Sequence, residues 1–239
     1  MRDAELVIFI ADYPRQLIEG RLKGRLKKAI TINHGLTERF KIDDTKPPQR
    51  PSWLPEDGAG YLLYVSIFDV YKNQMEVVRG FHRLKQLRQT SEKLVLAGVH
   101  STDDGKRVID EIKKLGLQDD ILLPGNILYE DLPSVYYHAK INIFASECEN
   151  CPNILLEALG AGRPLVVSNR PPMPEFGGDA VVYFDPVSPD ELANKIGAFI
   201  DKPMEIERLS KQAKERSLLF DWKDTATLTW KAIREFDAQ

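Results

Sequence analysis

The sequence predicts an α/β fold: a Rossmann-like, mostly parallel sheet with helices on both faces. Three observations predict it. Short β-like runs alternate with longer helical patterns from end to end, as βαβ units require. One of these runs, Ile141-Asn142-Ile143-Phe144-Ala145, has the length and flanks of a buried strand, and a helix start follows it closely. Over 239 residues, 43% hydrophobic and 29% charged content describe a globular chain with a real core and one or two domains. No internal repeat of fixed period competes with this reading.

Taken in order, the strand candidates are 6–11, 29–33, 61–68, 93–98, 121–123, 141–145, 165–168 and 181–184. The helical patterns between and after them cover 14–27, 73–89, 104–115, 129–139, 153–161, 189–200, 204–219 and 222–236. The helix at 153–161 has the clearest punctuation. Pro152 has the fixed φ and missing N–H of a first helical position, and Gly162 and Pro164 are stop signals. One composition break interrupts the alternation. Residues 43–60 hold Lys46-Pro47-Pro48, Pro51, Pro55 and Gly58 and read as a linker or an ordered excursion. Only two strand candidates precede it, too few for an independent domain. Residues 1–45 are therefore expected to be the edge of something larger, and the chain a fragment.

A formal net charge of −3 argues against general nucleic-acid binding. No apolar run approaches the length of a membrane span, and the N-terminus lacks a signal-peptide pattern. Two cysteines are too few for a disulfide framework or a complete zinc site. A cytoplasmic protein fits these features best. Arg15, Arg21, Lys23, Arg25, Lys27 and Lys28 stand against one acid, Glu19. That basic segment reads either as a solvated face or as a peripheral contact with the inner, anionic face of a membrane.

Candidate chemistry gathers around the helix at 153–161. Glu157 is its only ionisable residue, and a buried carboxylate needs a partner. Helical side chains tilt toward the N-terminus, so Glu157 leans toward the loop carrying Glu149. Two carboxylates and several free N–H groups then meet where a strand's carboxyl end joins a helix start, the place where open α/β sheets bind ligands. The pair reads either as acceptors for a polyol's hydroxyls beside an anion site, or as a helix-start Glu plus a Glu paired to an Arg. Lys72 opens the helix carrying Val77, Val78, Phe81 and Leu84. It reads as a phosphate-neutralising cation or as a solvated surface lysine. Cys148 and Cys151 form a C-x-x-C pair between a strand and a helix, the setting of a redox motif. Glu149 lies inside that pair and disfavours a thiolate. The four histidines show no metal-ligand or triad spacing, and there is no P-loop or G-x-G-x-x-G fingerprint.

Together these pieces resemble the retaining glycosyltransferases of the GT-B fold, in the family 4, or group 1, set of mannosyl- and glucosyltransferases. Glu149 and Glu157 match the family's E-x7-E motif. Asn33-His34-Gly35 resembles its turn before the second domain, and Tyr64-Val65-Ser66 through Lys72-Asn73 that domain's first strand and phosphate-binding lysine. Leu94-Val95-Leu96-Ala97-Gly98, Pro174-Glu175, Gly178-Asp179-Ala180-Val181-Val182-Tyr183-Phe184-Asp185-Pro186 and Phe220-Asp221-Trp222 resemble later segments, so the likeness runs over about residues 28–236. The resemblance implies an acceptor-domain remnant over 1–45 and a nucleotide-sugar-binding domain over 46–239. It implies that Glu157 holds the ribose hydroxyls and Glu149 the donor sugar. Lys72 and amides near Asn150, Cys151 and Asn153 would hold the diphosphate and sugar, and backbone groups after Gly125, at Asn126 and Ile127, would meet the base. Glu149 and Lys72 are thus the expected catalytic residues, with no metal or other cofactor, and the whole enzyme would move a hexose with retention. A saccharide or lipid-linked acceptor, and the family's histidine facing the sugar, would be supplied by an N-terminal domain outside this chain. Two departures stand out. Ile67 replaces the family's Arg, leaving Arg170 or Arg163 as substitutes, and Arg170-Pro171-Pro172-Met173 replaces its Gly-rich turn. A sugar-nucleotide epimerase and a non-catalytic binding module are the alternative readings.

Overall fold

The computed structural model describes residues 4–55, 60–88 and 90–237. Met1, Gly58, Gln89 and the C-terminal Gln239, which fall within segments assigned from sequence, lie outside the described residues. A six-stranded parallel sheet is built from β3 (Tyr61–Val65), β4 (Lys93–Ala97), β5 (Ile121–Gly125), β6 (Ile141–Phe144), β7 (Leu165–Ser168) and β8 (Val182–Phe184). Its spatial order is β5-β4-β3-β6-β7-β8, every neighbour parallel. The chain thus winds outward from β3 to β5, returns to β6 on the other side of β3, and winds outward again. That reversal places the topological switch point between β3 and β6. Register there pairs Leu62 with Ile141 and Leu63 with Asn142.

The sheet is held by apolar burial on both faces. Tyr61, Leu62, Leu63, Tyr64, Leu94, Val95, Leu96, Ile141, Leu165, Val166 and Val167 are essentially inaccessible, the pattern of a parallel sheet covered by helices. The main covering helices are α2 (Gln74–Leu87), α3 (Asp103–Lys114), α4 (Leu132–His138), α5 (Asn153–Gly160), α7 (Pro189–Gly197) and α8 (Pro203–Ser217). A separate two-stranded parallel sheet, β1 (Val7–Phe9) with β2 (Ala29–Thr31), is joined by α1 (Asp12–Leu22). The last helix, α9 (Trp222–Asp237), begins where the segment after β2 crosses the larger unit. Leu36 N–H donates to Phe220 O at 3.1 Å, and Thr225 Oγ1 to Asn33 O at 2.8 Å. Lys41 pairs with Asp221 at 2.8 Å.

Several boundaries differ from expectation for local reasons. The first helix was expected to reach residue 27. It stops at Leu22 because Lys23 (φ 50°) and Gly24 (φ 71°) turn left-handed. The helix expected over 129–139 begins at Leu132, with Pro133 in its first turn. β5 runs on through Pro124 to Gly125; it is an edge strand with a register irregularity, where proline is tolerated. Pro152 sits just outside α5 rather than inside it, and Asn153 is the first helical residue. A short helix, α6 (Met173–Gly177), was not foreseen from the sequence. The described part of the proline-rich excursion packs against α4: Ser134 Oγ donates to Gln49 O at 2.7 Å, and His138 Nε2 bonds Pro48 O at 2.9 Å. Among the described residues, no helix is long and apolar enough to cross a membrane.

Gly98, at the end of β4, has φ 146°, and a Cβ there would lie 1.9 Å from Ser66 O. The carboxyl ends of β3 and β4 close together only because that atom is missing. Gly98→Ala is expected to destabilise by roughly 3 kcal/mol or more, combining backbone strain with an overlap no rotamer relieves. Gly116, with φ 68° and nothing within 4 Å of its added Cβ, is the control; Gly116→Ala should cost about 1–2 kcal/mol. Urea unfolding midpoints compare the two.

Candidate functional site

At the carboxyl end of β3 the chain makes a 3₁₀ turn, Val70–Lys72, before α2. Asp69 caps the turn by accepting from Val70 N–H at 2.7 Å. Asn73 follows in a left-handed conformation (φ 57°), and its side-chain amide donates to Ala145 O and to Glu147 Oε1, each at 3.0 Å. Tyr64 Oη donates to Lys72 O at 2.7 Å. These bonds tie the turn after β3 to the end of β6. Lys72 therefore ends a turn rather than opening a helix, and at 6% exposure it is not a solvated surface lysine. Its ammonium is ion-paired with Glu149 and lies 4.8 Å from the Tyr71 ring centroid. A buried ammonium requires such a partner.

Glu149 comes from the loop between β6 and α5, and Glu157 from one turn inside α5. They do not form the single carboxylate cluster that the helix geometry suggested. Glu149 faces Lys72, whereas Glu157 accepts from Tyr136 Oη at 3.4 Å. Burial pushes the Glu157 carboxyl up to about 7, opposed by the hydroxyls of Tyr136 and Tyr129. Among the described residues neither Glu149 nor a cation contributes to that rise, so the Glu-paired-to-Arg reading does not describe this residue. The two tyrosines were missed from sequence. They stand on the preceding helix and its approach, and nothing local connects them to Glu157.

Glu157 lines two cavities. A cleft of about 260 Å³ lies between the ends of β3 and β4 and the β5–α4 connection, with Asn126, Ile127 and Tyr129 on its wall. A smaller one of about 80 Å³ is bounded by Gly35, Thr37, Asn153 and Trp222. Gly125, at φ 77°, turns the chain toward Asn126, and its carbonyl accepts from Gly98 N–H at 2.8 Å. Of the residues predicted on the α5 approach, Asn150 is exposed, Cys151 half-buried, and Asn153 accepts through Oδ1 from Cys151 Sγ at 3.7 Å. Asn153 Oδ1 also bonds His34 Nδ1 at 3.2 Å, and the His34 ring packs on Trp222 with centroids 5.1 Å apart. Both cysteines are free thiols. Burial drives the Cys151 thiol up to about 11, with the Glu175 and Glu149 charges adding to it. That is the reverse of a redox-active cysteine.

The two arginines named as substitutes for the one replaced by Ile67 lie at different ends of the sheet, Arg170 after β7 at the carboxyl edge and Arg163 before it. Arg170 is held by Asp185 at 2.8 Å. Arg163 precedes β7 at the opposite end of the sheet, where its Nε donates to Tyr137 O at 2.5 Å. A cavity of about 810 Å³ also lies at that amino end, beside Lys140 and Arg163. It is remote from the switch point.

Glu157 ties stability to pH. Its folded value of about 7 lies above its ordinary 4.5, so the native state binds more protons between those values. Stability should therefore fall as pH rises through that window, by on the order of 3 kcal/mol at most. Glu157→Gln should flatten the slope. Urea unfolding of both proteins across pH 4.5–7.5 measures it, and parallel curves would rule out a buried, unpaired Glu157.

The family described as glycosyl transferases group 1 matches residues 45–216. The O-antigen chain mannosyltransferase B of Escherichia coli is 26% identical over 176 residues, covering 73% of this chain and 46% of that protein. A glycogen synthase of Mycobacterium tuberculosis is 27% identical over 178 residues, covering 73% and 42%. The chain thus spans about half the length of the relatives it matches. Among solved structures, a sucrose-phosphate synthase from Thermosynechococcus elongatus superposes with a TM-score of 0.80 at 20% identity, covering 99% of this chain and 59% of the other. Anabaena HepE in complex with UDP and glucose gives 0.81 at 18% identity, covering 97% and 64%. The parallel sheet, its switch point and the family match agree: the chain belongs to the group 1 glycosyltransferases and has the fold of their C-terminal GT-B domain.

Proposed function

We propose that this chain is the donor-binding part of a hexosyltransferase that uses a nucleoside-diphosphate sugar and retains anomeric configuration. The observation that carries the reading is the placement of Glu157. It is a carboxylate that meets no cation among the described residues, on an apolar helix, facing a cleft walled by Asn126 and Ile127. Such a group is suited to accept the two hydroxyls of a ribose, while backbone groups at Asn126 and Ile127 meet the base. Lys72, at the switch point, neutralises the diphosphate, with amides of residues 150–153 around it at the start of α5. Glu149 then serves the hydroxyls of the donor sugar. HepE, a similar fold, is solved in complex with UDP and glucose, which supports a nucleotide sugar as ligand.

In this reading catalysis is electrostatic. Lys72 and the α5 amides stabilise charge developing on the departing diphosphate, and the acceptor attacks from the face the phosphate leaves. Saccharide and lipid-linked compounds are the acceptor classes. The acceptor wall comes from protein beyond residues 46–239, of which β1, α1 and β2 form the edge. A non-catalytic binding module is the second reading, favoured by Ile67, which stands 49% exposed where the family has a cation. Turnover by the full-length protein decides between them.

Titration calorimetry with UDP-, GDP- and ADP-sugars tests the donor site. Glu157→Ala should weaken the best ligand about ten- to hundredfold, the loss of a charge-assisted hydrogen bond. Unchanged affinity in a folded variant would reject the assignment. The 239-residue chain alone, given that donor and candidate acceptors, should show no transfer above background, because positioning supplies much of the rate. Robust transfer would show that the acceptor wall is already present.

A further inference from the structure

The β3–α2 turn offers an incoming diphosphate one cation, and that cation is already engaged. Lys72 and Glu149 are ion-paired with side chains only 7% and 16% exposed. Tyr64 holds the Lys72 carbonyl, and Asn73 is anchored to β6 through Ala145. The lysine's backbone is therefore fixed, whereas Glu149 sits on the irregular loop between β6 and α5. Glu147, bonded to the Asn73 amide, adds a second carboxylate beside the turn. Arg170 pairs with Asp185, Arg163 donates to Tyr137 O at the opposite end of the sheet, and Ile67 carries no charge. A diphosphate thus reaches Lys72 only in competition with Glu149.

We infer that Glu149 acts as an exchangeable counter-ion for Lys72 and makes the site prefer nucleotide sugar over free nucleoside diphosphate. This rests on the donor-site reading given above. When phosphate oxygens take over Lys72, the carboxylate of Glu149 loses its cation and is left half-buried, which is costly unless new donors reach it. The hydroxyls of a donor sugar supply such donors, and free diphosphate supplies none. Departure of the sugar therefore leaves Glu149 to reclaim Lys72 and expel the diphosphate. Glu149 is in this respect a positioning and selectivity residue, acting on the diphosphate through Lys72.

The test is a set of calorimetric titrations on the full chain: wild type, Glu149→Gln, Glu149→Asp, Lys72→Gln and the Lys72→Gln/Glu149→Gln double variant. The ligands are UDP, GDP and ADP, their glucose or mannose conjugates, and the free nucleosides. Glu149→Gln should bind the nucleoside diphosphate about tenfold more tightly, the worth of one competing charge-assisted hydrogen bond. It should bind the nucleotide sugar no more tightly, and the nucleoside unchanged. Glu149→Asp, which keeps the charge on a shorter stem, should move diphosphate affinity the same way by less and serves if the Gln variant does not fold. In the Lys72→Gln background the gain should vanish. Unchanged or weaker diphosphate binding in the Glu149 variants overturns the counter-ion role while leaving the donor site standing. Failure of every nucleotide to bind wild type overturns the donor site itself.

Discussion

The pairing of β3 with β6 is the constraint on which the rest of the site depends. These strands are far apart in sequence, yet Leu62 and Leu63 lie in register with Ile141 and Asn142. Because side chains alternate along a strand, a one-residue slip would turn each buried residue to the other face. With both faces covered, it is the fit of each side chain against its own helix layer that resists such a slip. Register in turn fixes which loops emerge side by side at the carboxyl edge. The turn bearing Lys72 and the loop bearing Glu149 meet because their strands are neighbours. The bonds from Asn73 to Ala145 and Glu147 then lock that meeting in place.

From this edge the protein makes two unlike acids out of one residue type. Glu149 faces the ammonium of Lys72. Glu157, a turn into an apolar helix, has tyrosine hydroxyls as its partners among the described residues, and burial pushes its carboxyl up to about 7. The difference follows from environment: a loop that reaches a buried lysine, and a helical position where, among the described residues, hydroxyls and no cation meet the carboxyl. A carboxyl of the second kind is poised to take hydroxyl partners, since gaining them lowers the cost of its charge.

Much of the fold was legible in the sequence because parallel strands buried on both faces declare themselves as apolar runs. Each of the eight strand candidates overlaps a strand of the structure, and the errors, in strands and helices alike, lie at the ends. Those errors have causes outside hydrophobic periodicity: the left-handed Lys23-Gly24 turn, and the edge position that lets β5 continue through Pro124. The short α6 gave no periodic signal in its five residues. At the site, Lys72 and Glu149 were identified separately, but their ion pair was not, because it spans 77 residues of sequence. Tyr136 and Tyr129 were missed for the same reason. Spacing also suggested that Glu149 and Glu157 converge. Helix tilt gives a direction, but it cannot say that a lysine has already claimed the nearer carboxylate.

The contact made by Glu175 concerns how the two sheets are joined. Its carboxylate accepts from the backbone N–H groups of Asp12 at 2.8 Å and Tyr13 at 3.2 Å, and from the Asn33 amide at 3.3 Å. Helix α1 has no side-chain cap of its own, and the first amides of any helix need outside acceptors. Here the acceptor belongs to α6, in the larger unit. The boundary between the β1–β2 unit and the six-stranded sheet therefore runs through a helix terminus rather than between two finished surfaces. Separating them would leave bare amides on one side and an unsolicited carboxylate on the other, so the seam behaves as a splice in the fold rather than a hinge with clean faces.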